Sequence, residues 1–253
     1  GATLIRYGVG YDNIDVSAAK EQGIKVAYVP DYCADEVADH TVAMLLSACR
    51  KTLSLDTSTR SGKWSPVEQA GTIRPLNEVT LGFLGFGRIG SLVKSRLEPF
   101  GCRFLVADPF LSEDIAKASG LKKVSTMELA KKSDIITLHA PLTSDTRHIV
   151  GPKFLEAMQS HAVVVNSSRG ELIDTCSLAE FLISGRIGGA ALDGFEKEPP
   201  EMDHPLRAAP NLIISPHAAW YSTSSINRLQ RLAAEEARRA LRGERLRCPV
   251  PGV

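Results

Sequence analysis

The chain has 253 residues, 43% of them apolar and 23% charged, and a formal net charge of +1. That length accommodates one large domain or two modest ones, and the balanced charge gives no sign of a nucleic-acid or anionic-membrane partner. The longest apolar stretches, such as Val42-Ala43-Met44-Leu45-Leu46, are far shorter than a bilayer span, and no signal-peptide pattern is visible in the first residues. The five cysteines (Cys33, Cys49, Cys102, Cys176, Cys248) are scattered and lack metal-ligand spacing, so reduced thiols and a cytoplasmic location are expected.

Residues 3–7 read as a short strand, followed by a turn at Gly8-Val9-Gly10 and a short helix capped by Asp15 or Ser17. Residues 24–29 read as a second strand, stopped by Pro30. A long helix is expected from Ala34 to about Leu55, because Val37, Thr41, Met44, Leu45 and Ala48 recur at the helical period. Residues 56–77 carry glycines, prolines, serines and Trp64 without a sustained period, and read as a connector with little regular structure. From Thr80 the pattern alternates. Strands are expected at 80–84, 102–107, 134–138, 162–166, 188–192 and 211–214, with helices at 89–98, 113–118, 127–133, 153–158 and 177–184 between them. Short, continuously apolar strands alternating with helices predict an α/β fold, a doubly wound parallel sheet covered on both faces. A final helix is expected over 222–242, with Arg228, Arg231, Glu235, Glu236 and Arg239 on a solvated face. The tail from Arg247 is expected to be loosely ordered.

The first strand of the alternation runs into Gly85-Phe86-Gly87-Arg88-Ile89-Gly90 and then into a helix. Gly85 permits the tight turn, Gly87 lets backbone approach a pyrophosphate, and Gly90 lets helix and strand pack closely. The helix start supplies unpaired N–H groups and partial positive charge. Asp108 closes the next strand about 20 residues further on, where a carboxylate accepts hydrogen bonds from a ribose diol and repels a 2′-phosphate. The cofactor expected is therefore NAD.

Ligands of such sheets sit beyond the carboxyl ends of the strands. There the chain places His139-Ala140-Pro141, Asn166-Ser167-Ser168-Arg169-Gly170, Asp193 to Pro199, and Ser215-Pro216-His217 to Trp220. Arg169 has a planar fork suited to a carboxylate. His217 is the side chain whose ordinary titration range lies nearest neutral pH. Glu198 is the candidate to hold the other ring nitrogen of His217, with Glu196 a rival on composition alone.

These segments, together with Gly8-Val9-Gly10-Tyr11-Asp12-Asn13-Ile14-Asp15, resemble the D-isomer-specific 2-hydroxyacid dehydrogenase family across nearly the whole chain. Arg6 and Pro216-His217-Ala218-Ala219-Trp220-Tyr221-Ser222 are similar to the branch of the C-terminal binding proteins and their bacterial relatives. The resemblance implies catalytic roles for Arg169, Glu198 (rather than Glu196) and His217. It implies cofactor roles for Thr41, Gly85, Gly87, Arg88, Ile89, Gly90, Asp108, His139, Pro141 and Asp193, and substrate roles for Arg6, Val9, Gly10 and Trp220. It further implies NAD-dependent interconversion of a 2-keto acid and a D-2-hydroxy acid, with Trp220 favouring an apolar side chain. The alternatives are a hydroxypyruvate or glyoxylate reductase and an NAD-sensing corepressor-type binding protein. The expected partners are the small-molecule acid and a second copy in a homodimer, with no direct nucleic-acid or membrane contact.

Two departures stand out. Gly194 replaces a larger apolar residue of the family, which is expected to loosen local packing. The family also has a strand-helix stretch before the point where this chain begins, so residue 1 is not expected to be the native start. On this reading residues 1–31 are the latter part of a flavodoxin-like substrate domain, 32–221 the NAD-binding domain, and 222–253 a helix and tail returning to the substrate domain.

Overall fold

A computed structural model describes residues 1–252. The chain divides into two compact units, one of residues 1–36 with the segment from Trp220 onward, the other Val37–Ala219.

In the smaller unit, β1 (Thr3–Arg6) leads to α1 (Val16–Glu21) and β2 (Lys25–Tyr28), which pairs with β1 in parallel. Asp15 rather than Ser17 caps α1, accepting from the Ala18 amide at 2.9 Å. Ala19, Val26 and Val250 form its buried apolar cluster. The chain then enters α2 (Ala34–Arg50), within which the second unit begins.

The long helix expected to reach Leu55 stops at Arg50. Lys51 takes a left-handed backbone (φ 56°), with its ammonium donating to the Gly188 carbonyl at 3.0 Å, and α3 (Thr52–Arg60) starts afresh. The connector is also more regular than its sequence indicates, since it holds most of α3, then α4 (Pro66–Ala70) and a single 3-10 turn at Leu76–Glu78. Neither helix buries a side chain, which is why no apolar period announced them.

The larger unit then follows the predicted alternation: β3 (Thr80–Leu84), α5 (Arg88–Leu97), β4 (Arg103–Ala107), α6 (Glu113–Ala118), β5 (Lys122–Lys123), α7 (Thr126–Lys132), β6 (Ile135–Leu138), α8 (Pro152–Ala157), β7 (Val163–Asn166), α9 (Thr175–Ile183), β8 (Gly189–Leu192) and β9 (Leu212–Ile214). All pairings are parallel, in the order β5-β4-β3-β6-β7-β8-β9. Alternate residues serve opposite faces. Leu81, Phe83, Ile135, Val163, Val165 and Ala191 enter one core, whereas Leu84, Ile136, Leu138, Val164, Ala190 and Leu192 enter the other. The order reverses at β3, so the carboxyl ends of β3, β4 and β6 meet at the switch point where such sheets bind ligands.

The last helix, α10 (Thr223–Leu241), and the tail correct two expectations. Glu236 is not solvated but 2% exposed, accepting from the amides of Arg247 (3.1 Å) and Cys248 (3.0 Å). Residues 247–250 are tied down rather than loose. Tyr28 N–H donates to the Cys248 carbonyl, Val250 N–H donates to the Val26 carbonyl, and Arg247 grips Asp31 with both terminal nitrogens. None of the described helices is long and apolar enough to cross a membrane.

Candidate active site

The glycine turn leaves β3 with Gly85 at φ 83°, a conformation that side chains disfavour. A Cβ there would also sit 2.6 Å from the Ala140 amide nitrogen, so turn geometry and close approach both demand glycine. At Gly87, the residue before α5, a Cβ would meet no protein atom within 4 Å. No protein neighbour requires glycine there; the open space before the helix N-terminus is of the kind a pyrophosphate would need. Gly90 differs from expectation. A Cβ there would make only ordinary 3.5 Å contacts with the Gly85 carbonyl and the His139 ring, so the tight packing lies at Gly85.

Asp108 follows β4 and reaches back to the turn. One carboxylate oxygen accepts from the Phe86 amide and the other from the Phe110 amide, each at 2.8 Å. Each oxygen retains a second lone pair for a ribose hydroxyl. His139, after β6, stacks on Phe83 with ring centroids 5.9 Å apart and meets the Thr137 hydroxyl at 3.0 Å. Burial pushes its pKa down to about 3, so it packs as a neutral ring and brings no charge to the phosphates. Pro141 follows it after Ala140.

The next three strand ends carry the reactive groups. After β7, Asn166 folds the chain back on itself: its amide donates to the Arg169 carbonyl and its side-chain oxygen accepts from Ser168 N–H. Arg169 is half-buried there, with one guanidinium nitrogen donating to the Ser168 carbonyl at 3.0 Å. After β8 comes Asp193, 2% exposed. Its carboxylate accepts from the Ala218 and Ala219 amides (both 2.8 Å) and from the Ser215 hydroxyl, and its carbonyl accepts from His217 N–H at 2.7 Å. Asp193 thus clamps the loop after β9. The clamp has a purpose, because His217 holds a left-handed backbone (φ 51°) that costs about 1–3 kcal/mol.

His217 points Nδ1 at Glu198, with distances of 2.8 and 3.1 Å to the two carboxylate oxygens. An ionised carboxylate only accepts, so Nδ1 carries hydrogen and Nε2 is the atom turned to chemistry. Both side chains are 42% exposed. An ion pair so open to water contributes about 1 kcal/mol or less to stability, which makes orientation of the ring its principal effect. The geometry separates the two glutamates that composition left as rivals: Glu198 meets His217, whereas Glu196 is engaged by His148 and Thr175.

Thr41 is fully buried on α2, its hydroxyl donating to the Val37 carbonyl and meeting the Ser167 hydroxyl. Arg88 and Ile89 open α5. Arg6, Val9, Gly10 and Trp220 belong to the smaller unit, where Trp220 packs beside Tyr32 and Tyr221. No motif or spacing signals His40, whose Nε2 meets the Ser215 hydroxyl at 3.0 Å, or Ser215 as the link from it to Asp193.

Residues 42–219 match the family model of the NAD binding domain of D-isomer specific 2-hydroxyacid dehydrogenases. Over 245 residues the chain is 39% identical to a glyoxylate reductase of Korarchaeum cryptofilum, a match covering 95% of this chain and 73% of that one. It is 40% identical over 240 residues to a D-3-phosphoglycerate dehydrogenase of Methanocaldococcus jannaschii, covering 94% of this chain and 45% of the relative, so it spans less than half of that protein. Among solved structures, D-lactate dehydrogenase from Aquifex aeolicus, complexed with NAD and lactic acid, superposes with a TM-score of 0.88 at 31% identity, covering 96% and 77% of the two chains.

Proposed function

Because the chain belongs to the D-isomer specific 2-hydroxyacid dehydrogenase family, we propose that it catalyses NADH-dependent reduction of a 2-keto acid to a D-2-hydroxy acid, and the reverse. The observation that carries this reading is the His217–Glu198 pair, presented on the same strand-end edge as the glycine turn. Bound NADH would supply the hydride. Gly85, Gly87, Arg88, Ile89 and Gly90 would hold its pyrophosphate, Asp108 its ribose diol, and His139 and Pro141 would line the adenosine side. Thr41 supports the site from beneath through Ser167, and Asp193 holds the nicotinamide end through the loop that it clamps.

Arg169 grips the substrate carboxylate with its guanidinium fork and polarises the ketone. His217 gives the proton on Nε2 to the carbonyl oxygen, and Glu198 keeps the ring oriented and stabilises its charged form. Substrate roles are proposed, on the family resemblance alone, for Arg6, Val9, Gly10 and Trp220, with Trp220 favouring an apolar side chain. Glyoxylate and hydroxypyruvate form the second substrate reading, favoured by the name of the Korarchaeum relative.

A homodimer built on α2 and the α3–α4 arm is part of the proposal. Trp64 and Val67 in that arm are 89% and 79% exposed, more apolar surface than a solvated arm needs. The five thiols are free, in keeping with a cytoplasmic setting.

Fluorescence titration with NADH and NADPH, followed by a panel of 2-keto acids, tests the reading. Preference for NADH and turnover of at least one keto acid are expected. Equal binding of both cofactors would remove the role given to Asp108. NADH binding without any turnover would favour the corepressor-type alternative.

A further inference from the structure

Glu196 and Glu198 lie two residues apart on the loop between β8 and β9, and their side chains serve different neighbours. Glu198 meets His217. Glu196 accepts three hydrogen bonds: from the Thr175 amide at 3.1 Å, from the Thr175 hydroxyl, and from His148 Nε2. Thr175 is the first residue of α9 and is 2% exposed, so its amide is one of the helix-start donors without an intrahelical partner.

The far leg of the loop comes to the same place. His204 Nδ1 accepts from the Leu206 amide at 3.2 Å, which puts the ring proton on Nε2, and Nε2 donates to the Thr175 hydroxyl at 3.3 Å. That hydroxyl donates onward to Glu196. The rings of Phe195 and His204 meet edge to face across the loop, 6.5 Å between centroids. At its near end the loop presses on the turn after β7, where a Cβ on Gly170 would fall 2.0 Å from the Phe195 carbonyl carbon. Glu198 therefore stands between two legs fastened to one threonine.

We propose that Glu196 is a positioning residue: by fastening this loop to Thr175 and His148 it holds Glu198 against His217. The inference rests on the acid/base reading of His217 and Glu198. The ionisable groups around Glu196 are His148, His204 and the α9 cap Asp174, while the neighbouring Lys197 pairs away from it with Glu201 at 2.6 Å. Burial alone would raise the Glu196 carboxyl, but the Thr175 and His148 hydrogen bonds outweigh it and hold the group below the ordinary glutamate range, ionised as the network requires.

A helix cap with no link to the site would alter stability and leave His217 untouched, so the test reads His217 directly. The full chain, labelled with 15N-histidine, is followed by the low-field Nδ1–H resonance of His217, assigned by its loss in His217→Gln. In Glu196→Ala this resonance is expected to broaden or vanish. With a turned-over keto acid, kcat is expected to fall about tenfold or more while KM stays within about twofold. Glu196→Gln, which keeps an acceptor for the Thr175 amide, should recover part of both. His148→Ala should show a weaker change in the same direction, and it decides the matter if Glu196→Ala does not fold. An unaltered Nδ1–H resonance in folded Glu196→Ala, or in His148→Ala when the former is unfolded, overturns the proposal. If the resonance responds but no keto acid is turned over, the positioning role stands and the dehydrogenase reading fails.

Discussion

The two units of this chain are held together by different physics. The larger one buries apolar residues on both faces of a seven-stranded parallel sheet, and its strands other than β5 read as largely apolar runs for that reason. The smaller one has two strands and a small cluster around Ala19, Val26 and Val250, and it leaves Leu4 and Tyr7 about half exposed. It compensates with polar latches. Glu36 accepts from the Ser222 hydroxyl and from Arg228, Arg228 also donates to the Tyr32 carbonyl, Glu236 accepts two tail amides, and Arg247 pairs with Asp31. Apolar burial is non-directional and accumulates with area. A latch depends on a few atoms, and one missing partner leaves a polar group buried and unpaired. The residues proposed to hold the cofactor, from Thr41 to Asp193, all belong to the first kind of unit, on the more robust frame.

Substitutions in each unit test that contrast. The largest stability effect is expected from Ile136→Ala in the larger unit, a loss of about 2–5 kcal/mol, because the residue is fully buried in a packed sheet. Denaturant titration monitored by far-UV dichroism would show it. Glu236→Ala comes next, at about 1–3 kcal/mol, since it strands two amides. Its effect should be confined to the smaller unit: hydrogen exchange should accelerate at the Val26 to Tyr28, Cys248 and Val250 amides while β6 and β7 stay protected. Loss of protection throughout would contradict the separation drawn here.

Acid should act on the larger unit through His139. Its pKa falls from 6.5 to about 3 on folding, so the unfolded state binds the extra proton between those values. The contribution to stability is fully present above pH 6.5 and declines as pH falls below it, by about 1 kcal/mol at pH 5.5. His139→Phe, which keeps a ring against Phe83, should flatten that part of the melting-temperature profile. The smallest effect belongs to Gly194. A Cβ there would come 3.0 Å from Glu198 Oε1, which already accepts from the Phe195 amide at 3.1 Å, so the carboxylate must shift slightly. Gly194→Ala should change stability by less than about 1 kcal/mol, the gain from a less free unfolded chain offsetting that shift, with turnover changed by no more than about threefold; a tenfold loss would show that Glu198 needs that space.

Much of the larger unit was legible because its signals are local. The strand from Thr80 to Leu84 could be read to the residue, and the remaining long strands to within one residue at each end, from apolar runs alone. Two-residue β5 consists of lysines and carries no such signal. The break at Lys51 escaped notice because a left-handed lysine is stabilised by a carbonyl far along the chain, at Gly188. Glu236 looked solvated because its partners are backbone amides, which leave no mark in a side-chain pattern. The site shows the same division. The glycine turn and Asp108 follow a spacing. The choice between Glu196 and Glu198 depends on which way each side chain turns from one loop, and that is decided by Thr175, His148 and His217, all distant in sequence.

In the proposed reaction His217, oriented by Glu198, delivers the proton to the carbonyl oxygen of the keto acid. The most direct measurement incubates the full chain with NADH and an aliphatic 2-keto acid and resolves the product by chiral chromatography, for the native protein and His217→Ala. D-configured product equal to the NADH oxidised is expected, with a rate in the variant lower by roughly 10²–10⁴. An L-configured product, or near-native turnover by His217→Ala, would contradict the proposed reaction.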